Sequence, residues 1–218
     1  MIKRKPTFAF TPTPPHETMD QVITAARNGD CATIRSWVAT HGAEHLDAVN
    51  SDGQRALEQA AYYRKADAGL LLLEYGADPN IPPLKGQIPP LLGAASQGAP
   101  ELIQPLIAAG AALDARFQDY ATALHYAAWN GYRDIAVMLI RAGADTNAIT
   151  SRGETLQQMA EQNVGTDNPM GRDGNPKSEM WPVLSSEIEA LRQPRLCREG
   201  IDQPLHVTRP LRLKGMAP

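Results

Sequence analysis

Aromatic side chains are scarce in this chain, at 6% of 218 residues, a share that suits thin interior layers of Ala and Leu. Cysteine is rarer still. Cys31 and Cys197 stand in different segments and fit no metal or disulfide spacing, so a reducing cytoplasm is the expected location. No apolar run approaches the roughly 18 residues of a membrane-spanning helix. The start Met1-Ile-Lys-Arg-Lys5 looks like the basic end of a secretion signal, but Pro6, Pro12, Pro14 and Pro15 interrupt the place where its apolar stretch would lie. Gly-x-Gly-x-x-Gly, phosphate-loop, His-Glu-x-x-His and serine-elbow patterns are all missing. The sequence therefore offers no recognisable catalytic, cofactor-binding or metal-binding constellation, and no cofactor is expected.

Charge of one sign is also short in the middle. Residues 1–17 hold three basic and one acidic residue, and residues 192–218 hold six basic and two acidic. The body between them keeps 12 basic against 21 acidic residues, a net of −9. An acidic body with basic ends argues against nucleic acid on the body. It is compatible with a basic protein partner or with simple solubility.

What the chain does have is a repeat. Gly76-Ala77, Gly110-Ala111 and Gly143-Ala144 stand 34 and 33 residues apart, and Ala60-Ala61, Ala94-Ala95 and Ala127-Ala128 keep the same step. A period near 33 with small residues at fixed phase is the mark of stacked helix pairs. The clearest copy runs Thr122-Ala-Leu-His-Tyr-Ala-Ala-Trp-Asn-Gly131, then Asp134-Ile-Ala-Val-Met-Leu-Ile-Arg-Ala-Gly-Ala-Asp-Thr-Asn147. This resembles the ankyrin repeat, with its Thr-Pro-Leu-His-x-Ala-Ala-x-x-Gly-His opening, apolar second helix and Gly-Ala-Asp-x-Asn close. The resemblance implies an all-α solenoid of helix-turn-helix pairs with short finger loops.

It divides the chain into a Pro-rich arm (1–17), a repeat domain (18–193) and a basic tail (194–218), with units at about 18–50, 51–84, 85–115, 116–148 and 149–193. In the first unit, Val22, Ile23, Ala25 and Ala26 form one helix face, Asp30 is placed to cap the next helix, and Ile34, Trp37 and Val38 make its apolar stripe. The second unit carries Arg55, Ala56 and Glu58 where the family has Thr, Pro and His. In the third, Pro90 suits a first helical turn, whereas Pro105 predicts a second helix that begins late or bends. In the fourth, Tyr120 replaces a family glycine that often has positive φ. In the fifth, Thr155 is in register with Thr122. Residues 164–177 read as an inserted loop rich in Gly, Asn, Asp and Pro. A final helix, about 178–192, sets Trp181, Leu184, Ile188 and Leu191 on one face.

The resemblance gives His125 a structural role, linking the start of one unit to the backbone of a neighbour. His16, His41, His45 and His206 fall near turns or in tails, where solvated rings are expected. Asp78, Asn80, Asp145 and Asn147 follow helix-ending glycines and read as turn hydrogen-bonders.

In such stacks the first helices and the fingertips line a concave surface. The positions after each Ala-Ala pair include Tyr62-Tyr63, Ser96-Gln97 and Trp129-Asn130. Tyr62 and Trp129 lie two units apart, about 20 Å if a unit adds one helix diameter. Exposed Tyr and Trp make frequent binding anchors. The candidate protein-binding residues are thus Tyr62, Tyr63, Gln97, Tyr126, Trp129, Asn130 and Tyr132, with Gln118, Asp119 and Tyr120 at the fingertips.

The expected function is a non-catalytic adaptor, inhibitor or immunity-type protein, monomeric when free, that binds a protein and no membrane. Two alternatives stay open: an enzyme with a site built from residues 164–180 and the C-terminal tail, and a secreted effector. Residues 205–213 alternate apolar and polar in part, as an extended strap would.

Overall fold

A computed structural model of the chain describes residues 16–82, 87–117, 120–162 and 179–192. The described residues form ten α-helices, with no strand beyond isolated bridges such as Phe117 with Ala121. In chain order these are α1 (His16–Asn28), α2 (Cys31–His41), α3 (Ala56–Tyr62), α4 (Ala66–Glu74), α5 (Pro90–Gln97), α6 (Pro100–Ala108), α7 (Ala123–Asn130), α8 (Arg133–Ala142), α9 (Leu156–Glu161) and α10 (Met180–Arg192). The odd-numbered helices pack in one row, α1 on α3 and so on to α9, and the even-numbered ones form a second row. Each odd helix also packs on its even successor, which makes five pairs in a two-layer stack. This is the all-α solenoid that the repeat implies.

The alanine pairs explain the close layering. Ala60, Ala61, Ala94, Ala95, Ala127 and Ala128 are buried because each inner helix has neighbours on both sides and another behind. The second row is built on larger side chains, among them Leu72, Leu102, Leu106, Ile135 and Leu139. Gly69 on α4 lets α6 approach: a Cβ there would lie 2.7 Å from a Leu102 methyl.

Local signals act as their chemistry dictates. Asp30 accepts from the N–H groups of Ala32 and Thr33 at 3.1 Å and so caps α2. The bond to Thr33 holds its carboxyl below the usual range. Pro90 and Pro100 open α5 and α6, where a missing N–H leaves no helical acceptor empty.

Three expectations need correction. First, α6 does not begin late: of the two outcomes expected from Pro105, a late start is ruled out by a helix that opens at Pro100 and continues past Pro105. The carbonyl thereby left without its helical donor belongs to the exposed residue Glu101, where water can serve instead. Second, Leu191 is exposed: the core-facing stripe of α10 steps by four through Met180, Leu184 and Ile188, with Trp181 only partly buried. Third, His41 is not simply solvated. Its ring stacks on Trp37 at 4.8 Å, and Nδ1 lies 3.0 Å from the Trp37 carbonyl. His16's side chain, His206 and residues 163–178 and 193–218 lie outside the described residues.

Side chains in the fingers join one unit to the next. The Asp47 carboxylate accepts from the Asp78 N–H, and the Asp114 carboxylate from the Asp145 N–H at 2.9 Å. Asn80 does more than close its own turn. Its Nδ2 donates to the Gly110 carbonyl at 2.8 Å and its Oδ1 accepts from the Ala112 N–H at 2.7 Å.

Candidate protein-binding surface

Three of the inner helices begin with a bonded pair of side chains three residues apart, a Thr with His or Gln in the fourth and fifth units and an ion pair in the second. In the fourth unit the Thr122 N–H points at His125 Nδ1 (3.4 Å), the Thr122 hydroxyl lies 2.9 Å from the same nitrogen, and His125 Nε2 lies 3.1 Å from the Ala148 carbonyl. A carbonyl only accepts, so Nε2 carries the hydrogen and Nδ1 is the acceptor. Burial, the largest influence, pushes the His125 pKa down. The ring is neutral and structural, as the resemblance implies. In the fifth unit Thr155 and Gln158 make the same reciprocal contact, with the Thr155 N–H donating to Gln158 Oε1 at 2.8 Å. In the second, Arg55 and Glu58 form a buried ion pair at 3.0 Å. The sequence marks those two positions as departures from the pattern, yet gives no reason to pair them beyond opposite charge at i, i+3.

The candidate binding residues fall into separate places. Tyr62 and Tyr63 are exposed, meet edge to face at 5.4 Å, and line a cleft of ≈280 Å³ together with Gln54, Glu58, Gln59, Gln87 and Ile88. Arg27 spans its rim. Its Nε donates to Gln59 Oε1 at 3.2 Å, its Nη2 to Gln54 Oε1 at 2.9 Å, and its guanidinium lies 5.4 Å from the Tyr63 ring centre. A second cleft of ≈250 Å³ lies between the fourth and fifth units, lined by Tyr126, Trp129, Arg152, Glu154 and Met159. Trp129 is 40% exposed there.

Gln97 and Tyr132 belong to a third, larger cleft of ≈520 Å³, which they share with Arg64, Glu101 and Asp134. Tyr132 does not present a free ring, being only 7% exposed. Its ring lies against Gly98, and its hydroxyl donates to the Gln97 carbonyl at 3.1 Å. Asn130 is held by bonds from its Nδ2 to the Ser96 and Tyr126 carbonyls. Tyr120 is 59% exposed, with φ of 58°. Gln118 and Asp119 lie outside the described residues. The structure thus places Tyr62 with Tyr63 and Tyr126 with Trp129, and sets Gln97 and Tyr132 apart from both.

Residues 85–163 match the family model of ankyrin repeats, in three copies. This is an ankyrin-repeat protein. The chain is 34% identical over 146 residues to the E3 ubiquitin-protein ligase KEG of Arabidopsis thaliana, which covers 66% of this chain and 8% of that protein. It is 30% identical over 164 residues to the mouse B-cell lymphoma 3 protein homolog, covering 75% and 37%. With the Xenopus tropicalis neurogenic locus notch homolog protein 1 it shares 38% over 120 residues, covering 55% and 5%. The chain therefore spans well under half of these relatives, and the likeness concerns their ankyrin segments.

Ankyrin arrays are protein–protein interaction modules and are typically non-catalytic. No group of His, Cys, Asp and Glu among the described residues could hold a metal. No helix among them is long and apolar enough to cross a membrane.

Proposed function

We propose that this ankyrin array is a non-catalytic adaptor, inhibitor or immunity-type protein of the cytoplasm. It binds one protein partner through the concave side formed by its inner helices and fingers. In this reading residues 18–193 are the interaction domain, residues 1–17 and 194–218 are arms outside it, and the free chain is a monomer. The supporting observation is the pair of aromatic clefts on the inner row, Tyr62 with Tyr63 and Tyr126 with Trp129, separated by the third unit. Two anchoring points on a preformed stack favour an extended partner that touches both. Net charge of −9 over residues 18–191 favours a basic one.

The test is capture of a stoichiometric protein from native lysate at moderate salt. Tyr62→Ala with Trp129→Ala should weaken capture by about tenfold or more, as loss of aromatic anchors does. The melting temperature should stay nearly unchanged, because both rings are already partly in water. Equal capture by wild type and variant rejects this placement.

A further inference from the structure

The largest cleft described above lies at the turns that follow the inner helices, at the opposite end of those helices from the fingers. It crosses three units. Arg64 comes from the turn of the second, Glu101 from the third and Asp134 from the fourth, with Pro100, Tyr132 and Ile135 supplying apolar wall. Arg64, Glu101 and Asp134 are exposed, and no ion pair or side-chain hydrogen bond engages them among the described residues. Charges of both signs thus share one hollow of ≈520 Å³ without pairing.

Two of these charges have an explanation within the fold. Glu101 and Asp134 stand in the first turns of α6 and α8, where a carboxylate favours the helix dipole. Arg64 has none. Its φ is 58°, whereas Gly29, Gly98 and Gly131, at the matching turns, have φ of 80°, 74° and 76°. Glycine adopts this left-handed backbone easily and arginine does not. A residue held in a disfavoured conformation beside a cleft points to a role in what the cleft binds.

The walls restrict the occupant. A purely anionic ligand, nucleic acid included, meets Glu101 and Asp134. A purely cationic one meets Arg64. A neutral apolar one takes water from all three charges and supplies no partner. A ligand with a carboxylate at one end and a cation at the other meets opposite charge at both. Exposed ion pairs contribute little singly, so the occupant also needs contact with the apolar wall between them.

We propose that this cleft is a second docking site, for a short peptide segment of a protein partner with an acidic and a basic side chain on either side of an apolar one. The segment's carboxylate pairs with Arg64, its ammonium or guanidinium with Glu101 and Asp134, and its apolar residue rests on the wall between. The site is separate from the aromatic clefts of the inner row and does not depend on them.

The experiment uses the whole chain at low salt and the blocked peptide acetyl-Glu-Leu-Lys amide, together with its reverse, acetyl-Lys-Leu-Glu amide. Peptides with Gln in place of Glu or of Lys are the single-charge controls. Binding is followed by NMR of the backbone amides of Gly98, Glu101 and Asp134. One dipolar peptide should bind about threefold or more tightly than either control, the scale of one exposed ion pair, and added salt should erase the difference. Arg64→Gly takes the residue used at the matching turns, so the variant should fold as wild type does. It should bring the dipolar peptide down to the level of the cation-only control. Glu101→Gln with Asp134→Asn should bring it to the level of the anion-only control. Tyr62→Ala with Trp129→Ala should leave peptide affinity unchanged, which separates this site from the concave-face reading. Equal binding of dipolar and control peptides, preference for a control, or wild-type affinity in folded Arg64→Gly overturns the proposal. Tighter binding of ε-aminocaproate than of either dipolar peptide would assign the cleft to a free zwitterion and overturn the partner segment.

Discussion

The imidazole Nε2 of His125 lies 3.1 Å from the carbonyl oxygen of Ala148, so the fourth unit holds the chain where it enters the fifth. That bond survives protonation, since Nε2 carries a hydrogen in either form; burial and the Thr122 N–H directed at Nδ1 are what favour the neutral ring. Burial lowers the His125 pKa from 6.5, so the unfolded chain takes up a proton that the folded one refuses. Stability from this group is complete above pH 6.5 and is lost as the pH falls through the folded value. Urea titrations should show stability declining from pH 6.5 to 5. His125→Gln, the residue the fifth unit uses at this position, should flatten that decline and cost about 1 kcal/mol at pH 7. An unaltered slope in the variant would assign the acid sensitivity elsewhere.

Arg55 and Glu58 make a different prediction at the corresponding place. Removing one member of a buried pair leaves the other charge uncompensated, which costs about 3 kcal/mol. Arg55→Met should therefore destabilise strongly at pH 7. Burial already raises the Glu58 pKa from 4.5, and loss of Arg55 raises it further. The folded variant then binds a proton more tightly than the unfolded one, so its deficit should shrink as pH falls toward 4.5. Chemical denaturation at pH 7 and pH 5 checks this; equal deficits would contradict it.

Gly98 has φ of 74°, and a Cβ built there would lie 2.4 Å from the Tyr132 ring. Gly98→Ala meets both the left-handed backbone and the ring, at a combined cost of about 2–3 kcal/mol. In a Tyr132→Ala background the same change should cost only about 1 kcal/mol, the backbone share alone. Thermal or urea unfolding of the four-variant cycle measures the difference. Full additivity would mean that the ring is not the obstacle.

Tyr120 carries φ of 58° at a position where glycine is the easier residue. Tyr120→Gly should leave stability unchanged or raise it by up to about 1 kcal/mol, since relief of strain offsets the greater freedom of the unfolded chain. If the ring contacts the partner, the same variant binds more weakly while melting no lower. A clear fall in melting temperature would show that the tyrosine supports the finger.

The repeat is readable in the sequence because one short phase recurs: small residues at 60–61, 94–95 and 127–128 imply closely layered helices wherever they stand. Asp30, Pro90 and Tyr120 are readable because cap, first turn and left-handed backbone are local matters. The fate of Tyr132 is not. Its ring fills the space beside a glycine 34 positions earlier, and periodicity within one unit says nothing of a hollow in the unit before it. Leu191 is misplaced by sequence alone because a three-step and a four-step both look helical, and packing on α8 chooses the steps of four. The Glu58 cleft is hidden for a third reason. It is lined from two separate stretches, residues 54–63 and 87–88, with Arg27 bonded to Gln54 and Gln59 from a third, and only the stack brings them together.

The side chains that join successive units span short sequence distances: 30 positions from Asn80 to Gly110, and 35 from Tyr132 to Gln97. Closing such modest loops is entropically cheap, so folding needs no encounter between distant parts of the polypeptide. A nucleus that forms at any interior pair can zip outward in both directions, and loss of a terminal pair would shorten the rod rather than dissolve it.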